Sequence, residues 1–408
     1  MFEITNEQLV VQNTWDGGDT FSGILQAVIT YHKPTGQTVV VCRARVDGEI
    51  PYRLWCWLIK NGVITGPFDT GVSWYNSNSY TDRVISDSTT GAIAVIYSNR
   101  IARLNVTDGS VSLANDVTLG AAGTPSRLHP LDGTSISMNV EYGIMYSSLN
   151  DFYVSGTRSG DTAFVLRRFL WDGSQYVVSS DSDYVFTGVT RQNSYGQSDQ
   201  SSGKFLLWSR CSIGGVLADR GIVGVAHQGG VSVDSGGWFL TPQDFERTPL
   251  AAMGTEPPPV VWMTAEGTRD WDFTRGIIIP GTGVGEVGTY PWSVGQYNTV
   301  QRELISVPGS DVQAFAFHSY HAGQAQVVFI DSAGETLQEP VPLGMSSDGV
   351  KSGNIAYSEH DNVFYATAHE SHSSAPRPKG LHLFTISAPA LVGPQFWTNF
   401  VGQSERVA

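Results

Sequence analysis

The sequence predicts an all-β fold: a β-propeller of seven four-stranded blades (six to eight), with tandem β-sandwiches as the alternative. Three observations lead there. Apolar segments are short and strand-like with almost no helical period, Asp-Gly pairs recur between them, and the composition suits turns joining aromatic-rich strands. Charged residues are 15% of the chain, aromatics are 11%, and glycine is 45 of 408 residues, against roughly 25% charged and ~7% glycine in an average soluble protein.

The strands come first. Leu25, Ala27, Ile29 and Tyr31 fall at alternate positions, as do Val40, Cys42 and Ala44 in a second run. Segments 54–59, 92–97, 205–208 and 327–330 are wholly apolar, and 363–368 is apolar except for Thr367. Runs of four to eight residues rich in Val, Ile, Phe, Tyr and Trp, bounded by Gly, Asp, Asn and Ser, read as strands. The wholly apolar ones are expected to be covered on both faces.

The turns set the period. Asp-Gly stands at Asp16-Gly17, Asp47-Gly48, Asp108-Gly109, Asp132-Gly133, Asp172-Gly173 and Asp348-Gly349, and this pair tolerates the positive φ of a type I′ hairpin. A second turn chemistry reads Asp-Ser then Gly: Asp87-Ser88 with Gly91, Asp234-Ser235-Gly236, and Asp331-Ser332 with Gly334. Grouping the strands gives one propeller domain, 1–408, with approximate blades 20–70, 75–120, 130–180, 184–245, 255–295, 298–345 and 350–400. Radial closure protects strand edges that an open meander would expose. Against separate sandwiches, no Pro- or Ser-rich linker divides the chain. Segments 187–203, 241–259, 281–297 and 343–353 are expected to be long loops. The second and third, carrying prolines and aromatics, are the first choice for a functional face.

Charge and composition exclude several classes. Lys+Arg 24 against Asp+Glu 38 gives a net charge of −14, which argues against phosphate-neutralising nucleic-acid binding and against anionic membranes. No apolar run approaches the ~18 residues of a spanning helix. The first basic residue is Lys33, so no signal peptide is expected. Cys42, Cys56 and Cys211 form neither a disulfide framework nor a zinc pattern, and buried free thiols are expected. Cys42 and Cys56 could face each other across the hairpin at Asp47-Gly48. No cofactor is expected.

One motif carries a family resemblance. Ser232-Val233-Asp234-Ser235-Gly236-Gly237-Trp238-Phe239 resembles the Asp-box of sialidase-type and related propellers, Ser-x-Asp-x-Gly-x-Thr-Trp. Ser232, Asp234 and Gly236 match, Phe239 takes the place of the final aromatic, and Trp238 replaces the threonine. The resemblance implies a structural turn: an Asp that ties a hairpin between outer strands over a packed aromatic. It implies no catalysis. The Arg-Ile-Pro segment of sialidases is absent.

Other constellations point to chemistry. Gly283-Val284-Gly285-Glu286-Val287-Gly288 satisfies GxGxxG, but Thr289-Tyr290-Pro291-Trp292 follows where a helix would have to begin, so a loop is expected. Asp270-Trp271-Asp272 places two carboxylates at i and i+2 on one strand face, ~6–7 Å apart. That spacing suits an inverting glycosidase, with Glu266 and Arg269 nearby. His318/His321 and His369/His372 have H-x-x-H spacing and are candidate metal ligands, although on a strand each pair would point to opposite faces. Trp74, Tyr75 and Tyr80, and Tyr290, Trp292 and Tyr297, combine aromatic faces with Asn, Ser and Gly, as recognition surfaces do.

The functional expectation is a non-catalytic structural and binding protein. Low charge and Gly/Ser/Thr/Asn-rich turns resemble in style the tail and adsorption proteins of bacteriophages. That resemblance implies a virion (phage tail) component that contacts partner proteins or a host-surface glycan, as a homo-oligomer. The alternatives are a propeller-type glycoside hydrolase or lyase using paired carboxylates, and an extracellular carbohydrate-binding lectin.

Overall fold

The computed structural model describes residues 1–12, 22–45, 52–74, 83–97, 100–118, 136–138, 144–158, 163–178, 184–199, 202–240, 250–253, 258–266, 270–279, 282–295, 304–319, 324–344, 354–370 and 377–388. Among them there are strands and turns and no helix.

The strands form antiparallel meanders in sequence order. Sheet I holds Ser22–His32, Gln37–Arg45, Tyr52–Lys60 and Val63–Trp74; sheet II holds Arg83–Ser86, Ala92–Tyr97, Arg100–Thr107 and Ser110–Thr118. A ten-stranded sheet follows and contains two such meanders. Meander III runs Ile144–Ser148, Asp151–Arg158, Ala163–Trp171 and Tyr176–Val178; meander IV runs Tyr184–Ser198, Lys204–Ile213, Val216–His227 and Gly230–Val233. They join because Ala163–Trp171 pairs also with Tyr184–Ser198. Sheet V holds Leu250–Ala251, Pro259–Glu266, Asp270–Ile279 and Gly283–Gly295; sheet VI holds Ile305–Ser306, Gln313–Ser319, Gln324–Ile330 and Val341–Pro342. Sheet VII takes Asn354–Ser358, Val363–Glu370 and Gly380–Ser387 from the end of the chain, and its outermost strand, Ile4–Gln12, from the beginning.

The apolar runs are explained by what lies on either side of each sheet. In Gln37–Arg45, Val39 and Val41 enter a core shared with sheet II, while Val40, Cys42 and Ala44 enter one shared with sheet VII. Ala92, Ala94 and Ile96 pack toward meander III, whereas Ile93 and Val95 pack toward sheet I. Phe205 and Leu207 face meander III, and Leu206 and Trp208 face sheet V. A strand covered on both faces needs no polar alternation. The remaining cores lie between V and VI and between VI and VII. Each core thus joins a sheet to the next in sequence, and VII returns to I. That cycle, closed by a strand from the opposite chain end, is the architecture of a β-propeller.

Turns at one end of the sheets interlock from neighbour to neighbour. The buried His32 ring joins Thr35 Oγ1 (2.7 Å) to Gly91 O of sheet II (2.8 Å). A carbonyl only accepts, so Nε2 carries the proton and Nδ1 accepts from the threonine. Asp87 of sheet II accepts from Leu149 N–H (2.6 Å) and the Ser148 hydroxyl (3.1 Å) of meander III. Arg168 forks onto Asp151 at 2.7 and 2.6 Å, and the same carboxylate accepts from Gly229 N–H of meander IV. The Tyr290 hydroxyl and Arg275 both donate to Gly334 O, tying V to VI. Lys33 of sheet I pairs with Glu359 of sheet VII at 3.0 Å.

Several expectations are corrected. Segments 187–203 and 281–297 are not long loops: Tyr184–Ser198 and Gly283–Gly295 are strands, the second containing the GxGxxG residues. Segments 241–259 and 343–353 fall largely outside the described residues. At Asp108-Gly109 and Asp172-Gly173 only the glycines have positive φ (+88° and +103°), so these are not type I′ turns; the other Asp-Gly pairs lie outside the described residues. Type I′ geometry occurs instead at Asn61-Gly62 (φ +52° and +73°), between two strands of sheet I. Cys42 and Cys56 lie in different cores, on opposite faces of sheet I, and do not face each other.

Candidate functional site

Three carboxylate positions converge at one end of sheet V. The hairpin register sets Glu266 opposite Asp270 and Thr264 opposite Asp272. On the other side, Asp270 is opposite Gly295 and Asp272 opposite Ser293. Directly opposed antiparallel positions share a sheet face with Cβ atoms ~4.5–5.5 Å apart, and residues two apart on one strand return to that face. Like charges in that arrangement destabilise a sheet. Asp272 is half-buried; Arg269 lies outside the described residues.

The other acidic side chains of note serve turns. Asp87 accepts at Oδ1 from the N–H groups of Thr89 and Thr90, besides its bonds to meander III. Burial opposes its charge, but the threonine and Leu149 donors outweigh burial and hold its carboxyl below the usual range. Asp199 accepts from the N–H and hydroxyl of Ser202. Asp331 accepts from Ala333 and Glu335 N–H. Here burial, aided by the charges of Asp311 and Glu335, pushes the carboxyl up despite those amides.

The Asp-box-like segment lies elsewhere than its resemblance implies. Val216–His227 pairs first with Gly230–Val233 and then with Phe239–Leu240. Residues 234–238 therefore interrupt one outer strand and do not connect two. Ser232 and Gly236 are exposed. Asp234 N–H donates to Val223 O and its carbonyl accepts from Gly237 N–H; the left-handed residue is Gly237 (φ +67°). Trp238, which stands where the motif has threonine, packs 5.6 Å from Phe164 and 5.1 Å from Phe186, and Phe239 packs 5.8 Å from Trp208.

The aromatic candidates separate. Tyr290 is 4% exposed, in the core between V and VI, so it is no outward recognition face. Trp292 is half-buried and stacks on it, with centroids 4.6 Å apart at 10°. Burial pushes the Tyr290 phenol well up. Trp74 ends the last strand of sheet I, opposite Tyr52; Tyr75, Tyr80 and Tyr297 lie outside the described residues.

Only one member of each histidine pair lies among the described residues. His318 stands opposite Ala325 in sheet VI, and His369, 3% exposed, stands opposite Leu381 in sheet VII; His321 and His372 lie outside the described residues. Among the described residues no group of three or more His, Cys, Asp or Glu side chains is arranged to hold a metal ion.

Four buried arginines, Arg43, Arg83, Arg103 and Arg167, escaped the sequence reading. Arg103 of sheet II donates to Leu149 O (2.9 Å), Asn150 Oδ1 (2.8 Å) and the Tyr176 hydroxyl (3.1 Å) and lies 4.3 Å over the Trp171 ring. Arg83, on the first strand of sheet II, donates to Gly196 O on the first strand of meander IV (2.8 Å), reaching past meander III. The available signal was a basic residue beside apolar ones: Arg83 precedes Val84 and Ile85, and Arg103 lies between Ala102 and Leu104.

Neither a family model nor a curated protein matches this sequence. Solved structures do. A putative 6-phosphogluconolactonase from Bacteroides uniformis is 10% identical, covering 82% of this chain and 96% of its own, with a TM-score of 0.48. An intramolecular trans-sialidase from Ruminococcus gnavus is 11% identical, covering 92% and 96%, with a TM-score of 0.42. A structure described as the Dos1 propeller is 9% identical, covering 96% of both chains, with a TM-score of 0.41. The chain is a β-propeller on the evidence of its own ring of sheets.

Proposed function

We propose that the protein is a seven-bladed propeller acting on carbohydrate, a glycoside hydrolase or lyase whose carboxylates are Glu266, Asp270 and Asp272. The register that gathers these three positions at one hairpin is the observation that carries the reading. A protonated carboxyl beside an ionised one is the acid–base pair that glycoside cleavage requires. Asp270 and Asp272, two residues apart on one strand, have the spacing of an inverting pair that leaves room for water, and Glu266 stands opposite Asp270 in the register.

The test is a hydrolysis screen on chromogenic glycosides and polysaccharides. Turnover is expected to fall at least 100-fold in Asp270→Asn and in Asp272→Asn with unchanged melting temperatures. Turnover that survives both substitutions would place the chemistry elsewhere.

A second reading rests on the structural use of Asp87, Asp199 and Asp331, whose carboxylates are committed to turns. It is a non-catalytic protein in a virion or outside the cell, assembled with partner proteins or bound to a surface glycan. Glycan-array binding without turnover would favour it.

A further inference from the structure

A cavity of about 340 Å³ opens between sheets I and II, lined by Gln37, Lys60, Asn61, Val63, Thr65 and Asp108 among others. It lies at the end of the sheets where the turns interlock, away from the hairpin carrying Glu266 and Asp270. Its size falls in the range of small-molecule sites, ~300–1,000 Å³.

The walls are held in place by neighbours. Asn61 N–H donates to Asp361 Oδ1 (3.0 Å), and Gly62 N–H donates to the Tyr365 hydroxyl (3.2 Å). That hydroxyl donates to Asp361 Oδ2, and Gln8 Nε2 donates to Gly62 O (2.9 Å). Sheet VII thus clamps the Asn61-Gly62 turn of sheet I. Lys60 Nζ donates to Thr35 O (3.1 Å) and to Asp108 Oδ1 (3.4 Å).

The polar groups are uncommitted in a particular way. An ammonium has three donors, and Lys60 uses two in these bonds. Asp108, with its side chain 78% exposed, keeps acceptor capacity. Gln37 is 4% exposed, and its Oε1 has no hydrogen-bond partner among the described residues. A buried polar atom without a partner costs free energy. The charges of Lys60 and Asp108 cancel, so the site has no preference for an ion. Val63, 64% exposed, adds an apolar surface beside them.

We propose that this cavity binds a neutral, hydroxyl-rich small molecule of pyranose size. Such a ligand offers O–H donors to Asp108 and Gln37, oxygen acceptors to Lys60, and C–H faces to Val63. This site is independent of the carboxylates of sheet V, and the proposal does not rest on their activity.

The experiment is a titration of the full chain with glucose, galactose, mannose and N-acetylglucosamine, followed by calorimetry and by ligand-observed NMR. Sodium acetate and ammonium chloride serve as ionic probes. At least one sugar is expected to bind with millimolar or tighter affinity, with neither ion competing. Lys60→Met and the exposed substitution Asp108→Asn should each weaken binding at least fivefold. Absence of binding by all four sugars, displacement by the ions, or undiminished binding in a folded Asp108→Asn variant would overturn the proposal. Binding lost in Asp272→Asn but kept in the other two would assign the sugar to sheet V instead.

Discussion

At Asp87 and Asp331 the same turn chemistry carries opposite electrostatic signs. Both carboxylates cap backbone N–H groups of their own turn. Asp87 also accepts from a neighbouring sheet, and its carboxyl is held below its ordinary value; burial and nearby Asp311 and Glu335 push that of Asp331 above it. By linkage, a depressed carboxyl contributes stability that is full above the unfolded pKa and is lost as pH falls through the folded one. A raised carboxyl does the reverse: its contribution is complete below the unfolded pKa and disappears as pH rises through the folded value, so ionised Asp331 costs stability at neutral pH. Asp87→Asn should therefore lose about 2 kcal/mol at pH 7, the size of a buried charge-assisted hydrogen bond, and less near pH 3. Asp331→Asn keeps an acceptor oxygen and should be neutral or stabilising at pH 7. Urea melts of both variants at pH 3, 5 and 7 check the pair; equal losses at pH 7 would contradict it.

At the scale of elements, the strand Ile4–Gln12 closes the ring through pairing that runs from Ile4 opposite Ile386 to Gln12 opposite Gly380. Phe2, just before it, stacks on Phe329 of sheet VI with centroids 3.9 Å apart and exchanges two backbone hydrogen bonds with the Gln338 side chain. Phe2→Ala should cost about 3–5 kcal/mol, the usual loss for a buried phenylalanine, read as a lower denaturant midpoint with unchanged slope. The sequence did not reveal this strand. Its residues, ITNEQLVVQ, are polar because an outermost strand has a wet edge, and no local pattern announces a partner nearly the whole chain away. Interior strands were legible for the opposite reason: two covered faces demand wholly apolar runs such as 92–97 and 205–208. The last strand of sheet V read as a loop because of its glycines. Yet that strand lies close against its neighbour, since its Gly285 O is 2.6 Å from where a Cβ on Gly276 of Asp270–Ile279 would stand. Its Pro291 sits on an outer strand, where a missing N–H is tolerated. The carboxylate site was half legible. Alternation joins Asp270 to Asp272, but only the cross-strand register brings Glu266 beside them.

For the whole molecule, the successive cores make each sheet depend on two neighbours, so the ring should unfold as one unit although its wedges are chemically separate. Closure also places the first and last described strands side by side: Ser387 N–H donates to Glu3 O at 2.8 Å. A circular permutant tests that geometry directly. Fusing Ala408 to Met1 adds a connector between Ser387 and Glu3, and loop-closure entropy grows only slowly with its length. New ends between Gly214 and Gly215 cut a hairpin whose tip is exposed, with Val216 60% exposed, while the flanking strands retain their register from Ile213 opposite Val216 to Lys204 opposite Val225. The permutant should fold and melt in one transition, within about 2 kcal/mol of the parent. A matched variant lacking residues 1–12 opens the ring without rejoining it, exposes the edge of Gly380–Ser387, and should melt earlier and aggregate. If the permutant is insoluble or melts in separate steps while the truncated chain behaves like the parent, the wheel is not closed in solution.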